Sequence, residues 1–562
     1  MSKILGTVFL GVVFLASFFS PHNKDFKTKD NKTKWVDSIY GGMTLQEKVG
    51  QLFMVATYSN RDKNHTDSIE NLIKNYNIGG LIFFQGGPVR QAKLTNTYQS
   101  IAKVPLLIGM DAEWGLNMRL DSTARFPYNM TLGAIKNDDL IKQIGSQIGK
   151  HCKRLGVHLN YAPVVDINTN SKNPIIGVRS FGEDKYNVSN KAIAFTQGMQ
   201  NEGVMACAKH FPGHGDTDQD SHKTLPTVSF SKERIDSVEF YPYKELFKKG
   251  VAGVMVAHLN VPSLEPKEGL PSSLSYNIVT NILKGELDYK GLIFTDALNM
   301  KGAANYEEPG DIDLAAFKAG NDVLLFTENA PKAISKIIEA YDNKEITEER
   351  LAHSVKKILG AKYDVNLNHF KSIDTVNLVN DLNDIKNTEL NKEAISSAIT
   401  TIKNVKDIFP IKENKKENIA FIKLGDGEYN DFISELKSGI NVHDISGLSL
   451  KKTLKVLKKY DKVIIGYHRL NYRLTKRIAD TDRVFIETIS KHHKVILDVF
   501  ASQYSLEKLS FKNIEGVLVS YENSELAQKV SAQVILGKMK TIGRLPASLN
   551  SKYSVGYGIE TR

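Results

Sequence analysis

Eight short apolar runs constrain this chain more than any other feature. They are Leu52 to Ala56, Gly80 to Phe84, Pro105 to Gly109, Val157 to Tyr161, Val204 to Ala208, Gly253 to Ala257, Leu292 to Phe294 and Val323 to Phe326. Each is continuous rather than alternating, which marks strands buried on both faces, as in a parallel sheet. Amphipathic segments rich in lysine and glutamate separate them and supply crossover helices. Eight such units in series predict a (β/α)8, TIM-like barrel, with an open doubly wound sheet as the alternative that pattern alone leaves. Polar residues follow the runs at their C-terminal ends: Asp111 and Glu113, Asp166, Lys209 and His210, His258 and Asn260, and Asp296. In a barrel this end is the catalytic rim.

The rest of the chain falls around that unit. Lys3 precedes an apolar stretch from Ile4 to Phe19, so residues 1–20 read as a secretory signal, with an uncleaved anchor as the alternative. The chain is therefore expected to be exported, to the periplasm or outside the cell. No cysteine follows the stretch, which argues against a lipoprotein anchor. Residues 21–41 read as a basic tether, and Thr44-Leu45-Gln46-Glu47 as a capping box that starts a helix. The barrel is placed at 42–364 and a polar connector at 365–390. A second series of apolar runs at Ile419 to Ile422, Val463 to Gly466, Val495 to Val499 and Gly516 to Val519 predicts a smaller α/β sandwich domain over 391–562. Its strand ends carry Asp426, His468 and Ser502 but no dense polar cluster, so the chemistry is assigned to the first domain.

A net charge of +11 comes from scattered lysines without a dense patch, so no nucleic-acid partner is expected. The two cysteines, Cys152 and Cys207, sit in apolar context and read as buried free thiols rather than a disulfide framework.

The densest polar segment is Lys209-His210-Phe211-Pro212-Gly213-His214-Gly215-Asp216-Thr217-Asp218-Gln219-Asp220-Ser221-His222. It opens directly from an apolar run and is too polar and glycine-rich to be core, so it is a shaped loop at a strand end. Asp220 and His222 form a carboxylate–imidazole pair suited to proton transfer near neutral pH. Alternating acids from Asp216 to Asp220 suggest calcium, but Ser221 stands where glycine is needed and Thr227 where a bidentate glutamate belongs. The loop alone leaves a zinc or manganese site open. Asp296, at the tip of an apolar strand, reads equally as a helix cap or a nucleophile. Asp111 with Arg119, and Arg179 on a glycine-flanked turn, read as ligands for a polar substrate, of the kind a sugar ring needs, with a surface ion pair as the alternative for each taken alone.

Together these segments resemble glycoside hydrolase family 3, in its β-N-acetylglucosaminidase branch. The resemblance rests on the whole loop from Lys209 to His222, on Asp111 with Arg119, on Asn160-Tyr161-Ala162-Pro163-Val164-Val165-Asp166, on Arg179-Ser180-Phe181-Gly182 and on Thr295-Asp296. It extends weakly through the second domain to Gly543-Arg544-Leu545-Pro546 and Tyr557-Gly558. It implies a retaining exo-acting enzyme with Asp296 as nucleophile, His222 as general acid/base and Asp220 orienting it. Asp111, Arg119, Arg179, Lys209 and His210 would hold the sugar, and neither cofactor nor metal is implied. The implied partner is a GlcNAc-containing glycan, peptidoglycan fragments first. A β-N-acetylglucosaminide phosphorylase, another β-glycosidase and a catalytically silent sugar-binding protein are the competing readings. Departures from the branch pattern are Trp114, which is expected to add a stacking wall beside the sugar, Lys185 and Ala297.

Overall fold

The computed structural model describes residues 22–221, 223–411, 417–471 and 476–561. The expected signal at 1–20 and the proposed acid/base His222 therefore lie outside the described residues.

All eight expected barrel strands form: β1 (Phe53–Thr57), β2 (Gly80–Phe83), β3 (Leu107–Met110), β4 (Leu159–Asn160), β5 (Met205–Phe211), β6 (Gly253–Val256), β7 (Leu292–Thr295) and β8 (Leu324–Leu325). Each pairs in parallel with the next along the chain, and β8 returns to β1 through Phe53–Leu324 and Met54–Leu325. A bridge between Phe294 and Val323 brings β7 against β8, so the sheet curls into a nearly closed barrel and the doubly wound alternative is set aside. Its interior is packed rather than hollow. The Tyr161 hydroxyl donates to Met54 Sδ at 3.0 Å, and its ring meets Phe294 edge-on at 5.5 Å. Gly109 leaves room for both neighbours: a Cβ there would stand 2.7 Å from Met54 and 3.0 Å from Tyr161.

The capping box expected at Thr44 is present, with the Thr44 side chain accepting from the Glu47 amide and Glu47 accepting from the Thr44 amide. The segment read as a basic tether behaves otherwise. Residues His22–Gly41 are helical, and the last turns lie on the helix Glu348–Asp364. Trp35 packs on Tyr363 at 5.8 Å, the Tyr40 hydroxyl donates to Glu348 at 2.5 Å, and Lys356 pairs with Asp37 at 2.8 Å. The lysines dominate its composition, but Trp35, Val36 and Tyr40 share one helical face, and that face has a surface to cover.

The second domain is a six-stranded sheet between helices. Its strands are β9 (Thr400–Asn404), β10 (Ile419–Gly425), β11 (Val442–Asp444), β12 (Lys462–His468), β13 (Lys494–Phe500) and β14 (Gly516–Val519). Their spatial order is β11-β10-β12-β13-β14-β9, parallel except where β9 runs against β14. The four inner strands match the apolar runs. The outer two, β9 and β11, were not legible: Thr400, Thr401 and Lys403 in the one and His443 and Asp444 in the other interrupt any continuous apolar signal, although Thr400 and Thr401 are buried.

The two domains interlock along the rim. Glu522 is buried against the barrel, where its carboxylate takes Arg125 at 2.7 Å, the Tyr128 amide at 2.7 Å and the Thr131 hydroxyl at 2.9 Å. The Tyr504 hydroxyl accepts from the Asn168 side chain at 2.9 Å. Gly182 runs so close to the second domain that a Cβ would lie 2.2 Å from the Pro546 carbonyl oxygen.

Candidate active site

The C-terminal ends of the barrel strands converge on a cavity of about 430 Å³. Asp111, Arg119, Arg179, Lys209, His210 and Asp296 all line it, so six of the eight residues singled out from sequence come together in one place. These residues stand at the ends of β3, β5 and β7 or on the loops that follow β3 and β4, where strand geometry aims side chains into the mouth.

The site is built around an ion cluster. Lys209, at the end of β5, is buried between two carboxylates, with Nζ 2.7 Å from Asp111 Oδ1 and 2.9 Å from Glu113 Oε1. Arg119 takes the other oxygen of Asp111. Arg179 grips Glu113, with Nη2 at 2.8 Å and Nε at 3.0 Å. Burial works against every one of these charges, yet the cations hold Asp111 and Glu113 below the ordinary carboxylate range, and the two acids raise Lys209. The cluster thus stays charged, presenting fixed donors and acceptors without proton exchange.

A third carboxylate does a different task. Asp166, also fully buried, accepts from His210 Nδ1 at 2.7 Å and from the His214 amide at 2.7 Å. The first bond fixes the His210 ring and leaves Nε2, 3.2 Å from Arg179 Nη2, toward the cavity. The strand β5 shifts register against β6 between Ala208 and Phe211, where Lys209 and His210 sit. Such a slip re-aims side chains at the edge of a site. Beyond it the loop turns at Gly213, whose φ of +128° favours glycine, and passes Ile167 at Gly215, where a Cβ would fall 2.0 Å from the Ile167 carbonyl oxygen. His214 braces the loop from within, with Nδ1 2.6 Å from Thr217 and Nε2 3.0 Å from Ser221. Burial pushes its imidazole down to about 4, so it is neutral.

Asp220 is largely buried, faces Lys223 at 3.9 Å, and precedes Ser221 on the cavity wall. Among the described residues no group of three His, Cys, Asp or Glu side chains is arranged to hold a metal ion.

Asp296 follows β7. The helix after it starts at Lys301 with Met300 as its cap, so Asp296 is not the helix cap that its position in sequence equally allowed. Its Oδ1 accepts the Ala297 amide at 2.8 Å, and among the described residues it makes no salt bridge. Burial would raise its pKa, but the imidazoles of His210 and His258 and the Ala297 amide outweigh this and lower it. An ionised carboxylate without a committed cation, facing a cavity, is a poised nucleophile in chemical terms.

Trp114 departs from expectation. It is buried and packs edge-on against Tyr128 at 4.8 Å, away from the cavity lining. The aromatic wall comes instead from Phe84 and Phe326, at 5.4 Å from each other, with the Arg119 guanidinium lying 3.8 Å over Phe84. Glu113 and Asp166 were visible as acids at strand ends. Their structural tasks were not, because their partners lie 66 and 44 residues away in the chain. Phe84 and Phe326 ended apolar runs and gave no other signal.

Comparison with known proteins agrees with this geometry. Residues 44–361 match the family described as "Glycosyl hydrolase family 3 N terminal domain". A Beta-hexosaminidase A from Pseudoalteromonas piscicida is 32% identical over 379 residues, which cover 62% of this chain and 62% of that protein. A Beta-N-acetylglucosaminidase/beta-glucosidase from Cellulomonas fimi is 28% identical over 410 residues, 72% of each. Among solved structures, a glycoside hydrolase family 3 beta-N-acetylglucosaminidase from Paenibacillus sp. str. FPU-7 superposes with a TM-score of 0.74 at 29% identity, covering 91% of this chain and 99% of that one. The chain belongs to glycosyl hydrolase family 3 and is a glycoside hydrolase.

Proposed function

We propose that the chain is an exported, retaining exo-β-N-acetylglucosaminidase that removes terminal N-acetylglucosamine from peptidoglycan fragments. One observation carries the mechanism. Of the carboxylates at the rim, Asp111 and Glu113 are tied to cations and Asp166 to His210 and His214, whereas Asp296 keeps its charge for the cavity. The names of the relatives support the sugar, and the apolar stretch from Ile4 to Phe19 supports export.

In this reading Asp111, Arg119, Arg179, Lys209 and His210 hold the hydroxyls of one sugar ring. An Asp296 oxygen attacks the anomeric carbon as the bond to the leaving oxygen breaks, and protonated His222 gives that oxygen its proton. Neutral His222 then takes a proton from water, whose oxygen displaces Asp296 and restores the β-configuration. Asp220 orients His222 and stabilises its charged form.

The test is hydrolysis of p-nitrophenyl β-N-acetylglucosaminide. Wild type releases p-nitrophenol, and Asp296→Ala lowers kcat by on the order of 10³-fold or more. A variant that keeps most of the wild-type rate removes Asp296 from the nucleophile's role. His222→Ala should slow poor leaving groups far more than activated ones; equal slowing counts against it as the acid. Product analysis with added phosphate separates hydrolysis, giving the free sugar, from phosphorolysis, giving the sugar 1-phosphate. Turnover of muropeptides against chitobiose tests the substrate assignment.

A further inference from the structure

We propose that the cleft between the two domains, beside the sugar cavity, is an aglycone site that reads a carboxylate on the leaving group through Lys172 and Lys476. The inference rests on the glycosidase reading above and names the half of the substrate that reading leaves open. The cleft encloses about 640 Å³, within the range of small-molecule sites. One wall is the barrel loop 171–179, and the other is second-domain chain including Lys476, Arg477 and Tyr504. Ile175 and Arg179 line both this cleft and the sugar cavity. A single loop thus partitions the two spaces, and a group attached to a sugar in the first has the second as its neighbour.

The charge of the cleft selects its ligand. Among the described residues four cations, Lys172, Arg179, Lys476 and Arg477, and one carboxylate, Glu507, line it. Arg179 is committed to Glu113, and Arg477 to Glu507, with Nε 2.7 Å from Oε2. Lys172 and Lys476 make no salt bridge among the described residues, which leaves two ammonium groups for an anion.

Both lysines stand on anchored backbone. The Lys172 amide donates to Asn170 Oδ1 at 3.0 Å, and Asn173 ties the next turn to the His214 carbonyl at 2.8 Å. Across the cleft the Ser505 hydroxyl donates to the Lys476 carbonyl at 3.0 Å, and Tyr504 holds Asn168 of the barrel. Walls held in this way place charge at lower entropic cost than mobile ones. An acidic aglycone gains here, whereas a neutral one gains nothing from either lysine.

The experiment compares kcat/KM for three substrates: a disaccharide of N-acetylglucosamine on N-acetylmuramic acid, the same disaccharide carrying a peptide stem, and neutral chitobiose. Wild type should favour the first over chitobiose by about five- to tenfold at low salt, a preference that fades at high ionic strength. K172A/K476A should bring that ratio close to one, chiefly through KM, and K172R/K476R should restore it. A ratio that moves only for the stem-bearing substrate assigns the cleft to peptide carboxylates and overturns the sugar-borne acid as its ligand. An active wild type whose ratio is the same in the alanine variant overturns the inference alone. A wild type inactive on the p-nitrophenyl glycoside overturns the glycosidase reading, and this inference with it.

Discussion

Lys209 shows how much of the site depends on one side chain. It is 2% exposed and lies between Asp111 and Glu113, whose charges it offsets together with Arg119 and Arg179. Replacing it with methionine keeps the bulk and removes the charge. Breaking a buried ion group in this way costs about 3–5 kcal/mol, because the partners stay buried without it. Thermal unfolding of Lys209→Met should therefore shift down by several degrees at neutral pH. The pH dependence follows from the direction of the shifts. Asp111 and Glu113 have depressed folded pKa values, so the stability they contribute is present above their unfolded values of about 4 and is lost as pH falls. Unfolding curves from pH 6 to 3 should accordingly fall steeply for wild type and less steeply for the variant. A variant as steep as wild type would show that the cluster is not the source of the acid lability.

Among the elements, β13 carries a group that works against its own burial. Asp498 lies mid-strand in the second sheet and hydrogen-bonds the hydroxyls of Ser520, at 2.7 Å, and Ser531. No cation pairs with it among the described residues, and burial pushes its carboxyl up to about 7. A raised carboxyl contributes most below its unfolded pKa of about 3.9, and this contribution is lost as pH rises through 7. Asp498→Asn keeps the shape and removes the ionisation. It should raise the melting temperature at pH 8 and lose that advantage at pH 5; an equal shift at both would refute a titrating role. The elements also show where apolar pattern has reach. β10, β12, β13 and β14 were legible because both of their faces are covered, whereas β9 and β11 stand at the edges and mix polar with apolar residues. The helix His22–Gly41 escaped notice because lysines dominate its composition, while Trp35, Val36 and Tyr40 in its final turns pack against the barrel.

At the scale of the whole molecule, Glu522 couples the domains. It is a second-domain residue, 1% exposed, whose carboxylate is satisfied by three barrel groups. Glu522→Ala leaves Arg125 and the Tyr128 amide without that acceptor, at a cost of about 3–5 kcal/mol charged to the interface rather than to either core. Calorimetry should resolve two transitions where wild type shows one; a single transition lowered as a unit would mean the domains are held together elsewhere. The amino-acid sequence by itself determined the barrel and the residues at its mouth, because strand burial and strand ends are written in local hydrophobicity, which neighbouring residues specify. Only the tertiary structure decided which charges are spent and which are left. Asp111, Glu113, Asp166 and Asp296 look alike at their strand ends, but the first two meet Lys209 and an arginine, the third meets His210, and Asp296 accepts the amide beside it, near the imidazoles of His210 and His258, and makes no salt bridge among the described residues. Coulomb energy depends on distance through space, and here the deciding distances join residues far apart in the chain.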